Sequence, residues 1–210
     1  MKKYRYIAFL GVDGSGKSTL SQVVSKMMGA QYTFQPLGKD ENELTFSALR
    51  DLALNDIHSD CIDDTTRELL MIANRSAGNK IVTNLLRIGD VITDRSHVSG
   101  EVYARYNFHR GSSRIDRLTW KRLNNVAIAG CPQLDTIVFI TPSIAKRTVG
   151  TSDVYDSRDD KFFNEILSLY EESLHEHRKK GTKVIEYVND MEKTVEENAK
   201  AIHKLIVGTE

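Results

Sequence analysis

Short apolar runs rich in β-branched residues recur along the chain, and longer segments with helical spacing separate them. The runs predict β-strands at residues 6–10, 90–93, 135–140 and 183–188, with a weaker one at 31–34. Apolar residues that repeat every three or four positions predict amphipathic helices at 19–28, 65–88, 162–174 and 195–206. Strands and helices therefore alternate over the whole chain.

This alternation indicates an α/β fold in three layers, with a central parallel sheet of about five strands covered by helices on both faces. Sheets of this kind bind ligands beyond the carboxyl ends of their strands. The loops after Leu10, Thr93 and Ile140 are therefore expected to converge on one cleft.

Composition changes this picture little. The chain has 210 residues, 40% hydrophobic and 28% charged, which predicts one globular domain over 1–210. Its 29 basic and 29 acidic residues balance, so a broad nucleic-acid or membrane surface is not expected. Cys61 and Cys131 are isolated thiols without metal-ligand spacing, and no stretch approaches the roughly 20 apolar residues of a membrane span. A cytoplasmic protein is expected.

A glycine loop follows the first predicted strand. Gly11, four further residues and then Gly16-Lys17-Ser18 satisfy the P-loop pattern, between a strand and an amphipathic helix as that motif requires. Its backbone N–H groups and the helix dipole favour a phosphate, Lys17 is expected to reach the β- and γ-phosphates of ATP, and Ser18 to ligate Mg²⁺. The alternative is a turn that binds nothing. The predicted ATP-binding residues are Gly11, Gly14, Ser15, Gly16, Lys17, Ser18 and Thr19.

A P-loop predicts the P-loop NTPase fold but does not name a reaction. GTPases also carry an NKxD-type guanine reader, and Asn79-Lys80 is followed by Ile81-Val82. The chain has no LSGGQ-like stretch typical of transporter ATPases. The remainder of the cleft must therefore identify the chemistry.

Asp94 and Arg95 directly follow the strand predicted at 90–93. A carboxylate at this position can hold the water shell of Mg²⁺, and the arginine fork can clamp a second phosphate. The alternative is a surface ion pair. Their position beside the P-loop favours the phosphate interpretation.

Other arginines are candidates for the same cleft. Arg50 closes a helix-like stretch, and Arg75 lies within the long predicted helix, where a solvated face is the default explanation. Arg147 and Arg158 flank a polar segment at about 147–160, which is either a mobile lid over the phosphates or an exposed loop.

Taken in order, these segments make the chain resemble the thymidylate kinases, which are P-loop nucleoside-monophosphate kinases. GVDGSGKST resembles the family's phosphate loop, and Gln35-Pro36 followed by Arg50 resembles its Glu-Pro turn and downstream arginine. MIANRSA resembles the segment whose arginine, here Arg75, reads the base. DRSHVSGEVY resembles the DRY-x-x-S segment, and CPQLDTIVFITPSIAKR the proline-led strand and helix ending at Arg147. The resemblance runs nearly from end to end.

The resemblance implies transfer of the γ-phosphoryl group of ATP, with Mg²⁺, to a deoxynucleoside monophosphate, most simply dTMP giving dTDP. Lys17 and Mg²⁺ are expected to hold the donor, while Arg147 or Arg158 closes over the transferring group. By the same resemblance Asp13 accepts from the sugar 3′-hydroxyl and Tyr103 disfavours ribose, although Tyr103 is equally explained as a half-buried tyrosine. The expected acceptor-binding residues are Asp13, Arg50, Met71, Arg75, Arg95, Ser99 and Tyr103. The family also suggests a homodimer.

The chain departs from the family's pattern at three positions. The base-stacking phenylalanine is replaced by Met71, the DRY tyrosine by Ser96 and the turn acid by Gln35. A methionine lacks the π face that favours stacking, so another deoxynucleoside monophosphate, or several, is an alternative acceptor.

Two rival functions stay open from the sequence. A kinase of a nucleoside or another small metabolite would need a carboxylate base for an uncharged hydroxyl, and Asp13 or Asp94 could serve. The second rival is a non-catalytic nucleotide-binding switch, against which the intact set of Lys17, Ser18, Asp94 and Arg95 argues.

Overall fold

A computed structural model describes residues 4–38, 44–55, 61–143 and 160–208. Five strands form one sheet: β1 (Tyr6–Leu10), β2 (Gln31–Phe34), β3 (Val91–Asp94), β4 (Thr136–Pro142) and β5 (Lys183–Asn189). The described helices are α1 (Lys17–Met28), α2 (Leu44–Leu54), α3 (Asp64–Leu85), α4 (His97–Arg110), α5 (Arg117–Ala127), α6 (Asp160–Lys179) and α7 (Val195–Val207).

The sheet has the order β2-β3-β1-β4-β5, and every neighbouring pair is parallel. The first strand, β1, is the central one, and all five of its residues are buried. The expected α/β sheet of about five strands is therefore confirmed. In the register of the sheet Phe9 pairs with Asp94, and Asp94 with Phe34, so the ends of β1, β3 and β2 lie side by side.

Alternate side chains of β1 supply the two halves of the core. Tyr6, Ala8 and Leu10 face a cluster that includes residues of α4 and α6, while Ile7 and Phe9 face one that includes residues of α1 and α7. Burial on both faces explains why this strand reads as a continuous apolar run rather than an alternating one.

Helices α4 and α5 are absent from the pattern-based prediction. The first of them, α4, buries polar residues as well as apolar ones, among them Ser99, Arg105 and Asn107, so its helical repeat is obscured. Arg105 is held there by Glu101 at 2.7 Å and Glu176 at 3.0 Å. Elsewhere the predicted elements occur with shifted ends, for example an α3 that stops at residue 85.

Across the described ranges, no helix combines the length and the apolar composition that crossing a bilayer requires.

Candidate active site

The glycine loop joins β1 to α1 at the carboxyl edge of the sheet. Gly14 and Gly16 have φ of 77° and 83°, in the left-handed region that glycine adopts without steric cost. Lys17 is only 5% exposed, and its Nζ donates to Val12 O and to Asp13 Oδ1, each at 3.2 Å. Burial and the nearby positive charge of Arg95 lower the pKa of Lys17, an effect that Asp13 opposes. The loop thus keeps its lysine inside the cleft.

The other predicted ATP-binding residues lie in the same loop or beside it. Gly11 directly follows β1, and a side chain there would collide with Ile140 O. Asn189 at the end of β5 fixes the loop by donating to Ser15 O at 3.0 Å. Thr19 is exposed on the first turn of α1.

Ser18 and Asp94 form the link between the glycine loop and β3. Ser18 Oγ donates to Asp94 Oδ2 at 2.5 Å, and Asp94 is buried at the strand end. A hydroxyl and a carboxylate are hard oxygen donors of the kind that Mg²⁺ prefers, and Mg²⁺ sites of kinases commonly use one or two carboxylates plus substrate phosphates. Among the described residues no group of three or more His, Cys, Asp or Glu could hold a metal ion.

Asp13 is the centre of a second group of contacts. Arg95 Nη2 donates to Asp13 Oδ1, Tyr103 Oη donates to Asp13 Oδ2 at 3.1 Å, and the Arg95 guanidinium lies 5.5 Å from the Tyr103 ring centroid. Arg95 Nη1 also reaches Tyr170 Oη at 3.4 Å, which donates to Ser99 Oγ at 2.9 Å. Burial tends to raise the pKa of Asp13, but Arg95 and Lys17 outweigh it and hold that pKa well below its usual range. Asp13 is therefore an anion shared by two cations.

Arg95 is unusual in its backbone as well. Its φ is 65°, and it is the one described non-glycine residue with positive φ. Such strained backbone clusters at functional sites. From this backbone position the side chain reaches Asp13 of the glycine loop.

Arg75 lies on α3 and lines the same cleft. It is only 6% exposed, so the default expectation of a solvated face is wrong for this residue. Its Nη1 donates to Asn124 Oδ1, and its guanidinium lies 5.9 Å from the Trp120 ring centroid. The buried Glu68 carboxylate accepts from Trp120 Nε1 and from Asn107 Nδ2, both at 3.0 Å. Burial raises the pKa of Glu68 and lowers that of Arg75, against their mutual attraction.

The Gln35-Pro36 turn is in contact with Arg50. The peptide bond between Gln35 and Pro36 is cis, and Arg50 Nη1 donates to Pro36 O at 3.2 Å. The buried Asn74 of α3 donates to Leu37 O at 3.1 Å and accepts from Leu37 N at 2.7 Å. The turn is thus held between α2 and α3.

One cleft brings these residues together. Its lining includes Asp13, Lys17, Ser18, Arg50, Met71, Arg75, Asp94, Arg95, Ser99 and Tyr103, and so contains every residue expected to bind the acceptor. Arg147 and Arg158, and the lid expected at about 147–160 up to residue 159, lie outside the described residues.

The cleft also contains residues that were not predicted, among them Phe34, Leu54, Arg67, Glu68, Asn74, Ser96 and Gly100. Arg67 and Asn74 could have been found from helical spacing, because Arg67, Met71, Asn74 and Gly78 recur on one face of α3. Glu68 had no such signal, since its partners Trp120 and Asn107 come from α5 and α4.

The chain is similar to known proteins over most of its length. The family described as "Thymidylate kinase" matches residues 9–202. The probable thymidylate kinase of Methanocaldococcus jannaschii is 26% identical over 203 residues, 97% of this chain and 94% of that protein. The thymidylate kinase of Campylobacter curvus is 30% identical over 181 residues, 82% of this chain and 87% of that one.

Two solved structures resemble the fold. The thymidylate kinase of Candida albicans has a TM-score of 0.72 at 19% identity, covering 98% of this chain and 92% of its own. The thymidylate kinase of Ehrlichia chaffeensis has a TM-score of 0.64 at 20% identity, covering 99% of this chain and 100% of its own. At these identities the likeness shows a shared fold, in agreement with the observed order of strands and helices.

Proposed function

Because the chain belongs to the thymidylate kinase family, its reaction is the ATP-dependent phosphorylation of dTMP to dTDP, and we propose that the cleft described above is where this transfer occurs. The observation that carries the proposal is the joint position of the glycine loop, the Ser18–Asp94 pair and the arginines Arg50, Arg75 and Arg95 in one cleft. Anion-binding groups for two nucleotides therefore line a single space.

The donor side of the cleft is formed by the glycine loop. Its N–H groups and Lys17 bind the β- and γ-phosphates of ATP, because a helix N-terminus and a buried ammonium both favour negative charge. The contacts of Lys17 Nζ with Val12 O and Asp13 Oδ1 keep the ammonium beside the loop where those phosphates bind.

Ser18 and Asp94 would hold Mg²⁺ together with those phosphates. When bound, Mg²⁺ neutralises charge on the donor phosphates. Ser18 Oγ lies 2.5 Å from Asp94 Oδ2, so the hydroxyl and the carboxylate that would hold the ion are already next to each other.

The acceptor side is lined by arginines at the phosphate end and by Arg75 and Met71 at the base end. Arg50 and Arg95 clamp the acceptor phosphate, since a guanidinium fork matches phosphate oxygens. Asp13 accepts from the sugar 3′-hydroxyl, and Tyr103, fixed on Asp13 at 3.1 Å, occupies the space beside the 2′ position. Ser99 and Arg75 face the base.

This set of residues suits phosphoryl transfer between two phosphorylated molecules. The second pKa of a phosphate monoester is near 6, so the acceptor oxygen is mostly deprotonated at neutral pH and needs no general base. Catalysis then depends on aligning two anions and neutralising their charge, which lysine and arginine side chains do. Arg147 or Arg158 completes this set by closing over the transferring group.

A homodimer and a cytoplasmic location are part of the same proposal. Both rest on what is usual for the family, and the free thiols of Cys61 and Cys131 are compatible with a reducing compartment.

The proposal is tested by incubating the protein with ATP, Mg²⁺ and each deoxynucleoside monophosphate in turn, and by separating the nucleotide products. The expected result is ADP and dTDP from dTMP, with thymidine itself not phosphorylated. ADP formed at equal rates with and without a monophosphate would refute the transfer. Phosphorylation of thymidine but not of dTMP would support the metabolite-kinase alternative instead.

A further inference from the structure

Gln35 stands in the wall of the acceptor cleft with a side chain that has no partner. It is only 7% exposed, and neither Oε1 nor Nε2 makes a hydrogen bond to any described residue. Nine in ten or more buried polar groups in proteins are hydrogen-bonded, so an orphaned carboxamide calls for an explanation. Its burial without a partner is unfavourable for the folded protein.

The local structure holds Gln35 at this place firmly. Its backbone N–H donates to Asp94 O at 2.8 Å, which continues the pairing of β2 with β3, and the cis bond to Pro36 follows at once. The neighbouring Leu37 is fixed by Asn74 through both its N–H and its carbonyl oxygen. The backbone therefore places this side chain against the cleft whatever residue occupies position 35.

The carboxamide packs against α3, the helix that carries Met71 and Arg75. A β-carbon on Gly78 of α3 would lie 3.4 Å from Gln35 Nε2, and Gly78 is three residues beyond Arg75 on the same face of the helix. The cations of the cleft include Lys17 and Arg95, which converge on Asp13. A neutral carboxamide would add little to the recognition of a phosphate, which uses cations.

From these observations we infer that Gln35 is a specificity-determining residue, whose carboxamide pairs with the polar edge of the acceptor's base. The inference rests on the proposed function and adds the group that reads the base beside Arg75. On thymine, N3–H is a donor between two carbonyl acceptors. A carboxamide matches this edge by accepting from N3–H at Oε1 and donating from Nε2 to the adjacent carbonyl, as glutamine does with bases elsewhere.

Pairing requires a rotation of the side chain, because both polar atoms are closed to solvent in the free protein. Because residue 78 is a glycine, α3 presents no side chain to the Gln35 amide at this position. The cost of the orphaned amide in the free protein is relieved when the base supplies its partners. Gln35 thus lowers the stability of the protein and increases its affinity for the acceptor nucleotide, a trade-off that is common in binding sites.

The test uses Gln35→Met, which keeps the length of the side chain and removes the amide. Its control is Gln133→Met, on an exposed side chain that precedes β4 and so lies at the edge of the sheet opposite the cleft. Each enzyme is assayed with dTMP and with its N3-methyl derivative, which lacks the N3–H donor. Steady-state constants for ATP and the melting temperature are measured for every variant.

We expect Gln35→Met to raise the KM for dTMP about tenfold, the effect of losing roughly 1.4 kcal/mol of hydrogen bonding. The KM for ATP should not change, and the melting temperature should be equal or higher because an unpaired polar group leaves the interior. For N3-methyl-dTMP the variant and the unmodified enzyme should have similar KM values, since that substrate has already lost the bond. Gln133→Met should match the unmodified enzyme throughout.

Two results would overturn the inference. The first is that Gln35→Met changes the KM for dTMP and the KM for N3-methyl-dTMP by the same factor, or changes neither. The other is a lower melting temperature with kcat and both KM values altered together, which would make Gln35 a structural residue. If the unmodified enzyme does not phosphorylate dTMP, the proposed function is refuted and the inference with it. The assay of the unmodified enzyme with dTMP distinguishes this outcome from failure of the inference alone.

Discussion

Gly100 is the residue at which the placement of Arg75 can be perturbed without touching Arg75. A β-carbon built on Gly100 would lie 2.5 Å from Arg75 Cζ and closer still to Nη2. Van der Waals contact begins at roughly 3.5 Å, so Gly100→Ala must push the guanidinium back by about 1 Å. Arg75 is held in place by Asn124 and by the Trp120 ring, so a displaced guanidinium disturbs these contacts and moves within the cleft that it lines.

The expected consequences for stability and for catalysis are different. Within α4, alanine is about 1 kcal/mol more favourable than glycine, which offsets part of the strain and should keep the variant folded. A displacement of about 1 Å in a positioning group can cost on the order of 100-fold in rate. We therefore expect kcat/KM for dTMP to fall about 100-fold, with the KM for ATP unchanged because the donor phosphates lie at the other end of the cleft.

Steady-state kinetics with dTMP and ATP varied separately measures this effect. Gly89→Ala is the matched control, because a β-carbon there would come no closer than 3.7 Å to any neighbour, and the residue lies before β3, away from the cleft. In an Arg75→Ala background, Gly100→Ala should have no further effect on kcat/KM, since the group it displaces is gone. Equal kinetics for Gly100→Ala and Gly89→Ala, or full additivity with Arg75→Ala, would refute the reasoning.

Three further predictions follow from the described contacts. Lys17→Ala should lower kcat by orders of magnitude at unchanged circular dichroism, because Lys17 stabilises charge in the transition state; full turnover would remove the glycine loop from the mechanism. Arg75→Ala should raise the KM for dTMP at least tenfold and leave that for ATP unchanged, whereas equal effects on both substrates would assign it to packing. Burial, His177, Arg75 and Lys180 lower the pKa of His97 to about 3, so the unfolded chain, with a pKa near 6.5, binds a proton that the folded chain excludes. Acidification from pH 6 to pH 4 should therefore destabilise the protein. In His97→Gln, the slope of the unfolding free energy against pH should decrease by the amount that corresponds to about one bound proton. An unchanged slope would contradict this.

The sequence was sufficient to predict those features that depend on residues close together along the chain. The glycine loop is contiguous, so Gly11 to Ser18 could be assigned from spacing alone, and β1 was evident because a strand buried on both faces is apolar throughout. Helix α4 was not evident, since its buried Arg105 is neutralised by Glu176, a residue of α6 that lies 71 positions away.

The same distinction divides the site. Resemblance to a family brought Asp13, Arg75 and Tyr103 into one expected pocket. It could not show that Glu68 is buried beneath Arg75, because burial of an acid depends on donors that come from other helices. Nor could spacing reveal that the amide of Gln35 lacks partners, which is a property of the assembled fold.

The shared carboxylate of Asp13 has a consequence for the empty enzyme. Lys17 and Arg95, one assigned to each nucleotide, both rest on this single acid before any ligand arrives. Two positive groups that would otherwise repel one another at close range are thereby held together by one carboxylate. The nucleotide that binds first draws either Lys17 or Arg95 away from Asp13. The carboxylate then has an oxygen available to accept a hydrogen bond from the sugar hydroxyl of the substrate.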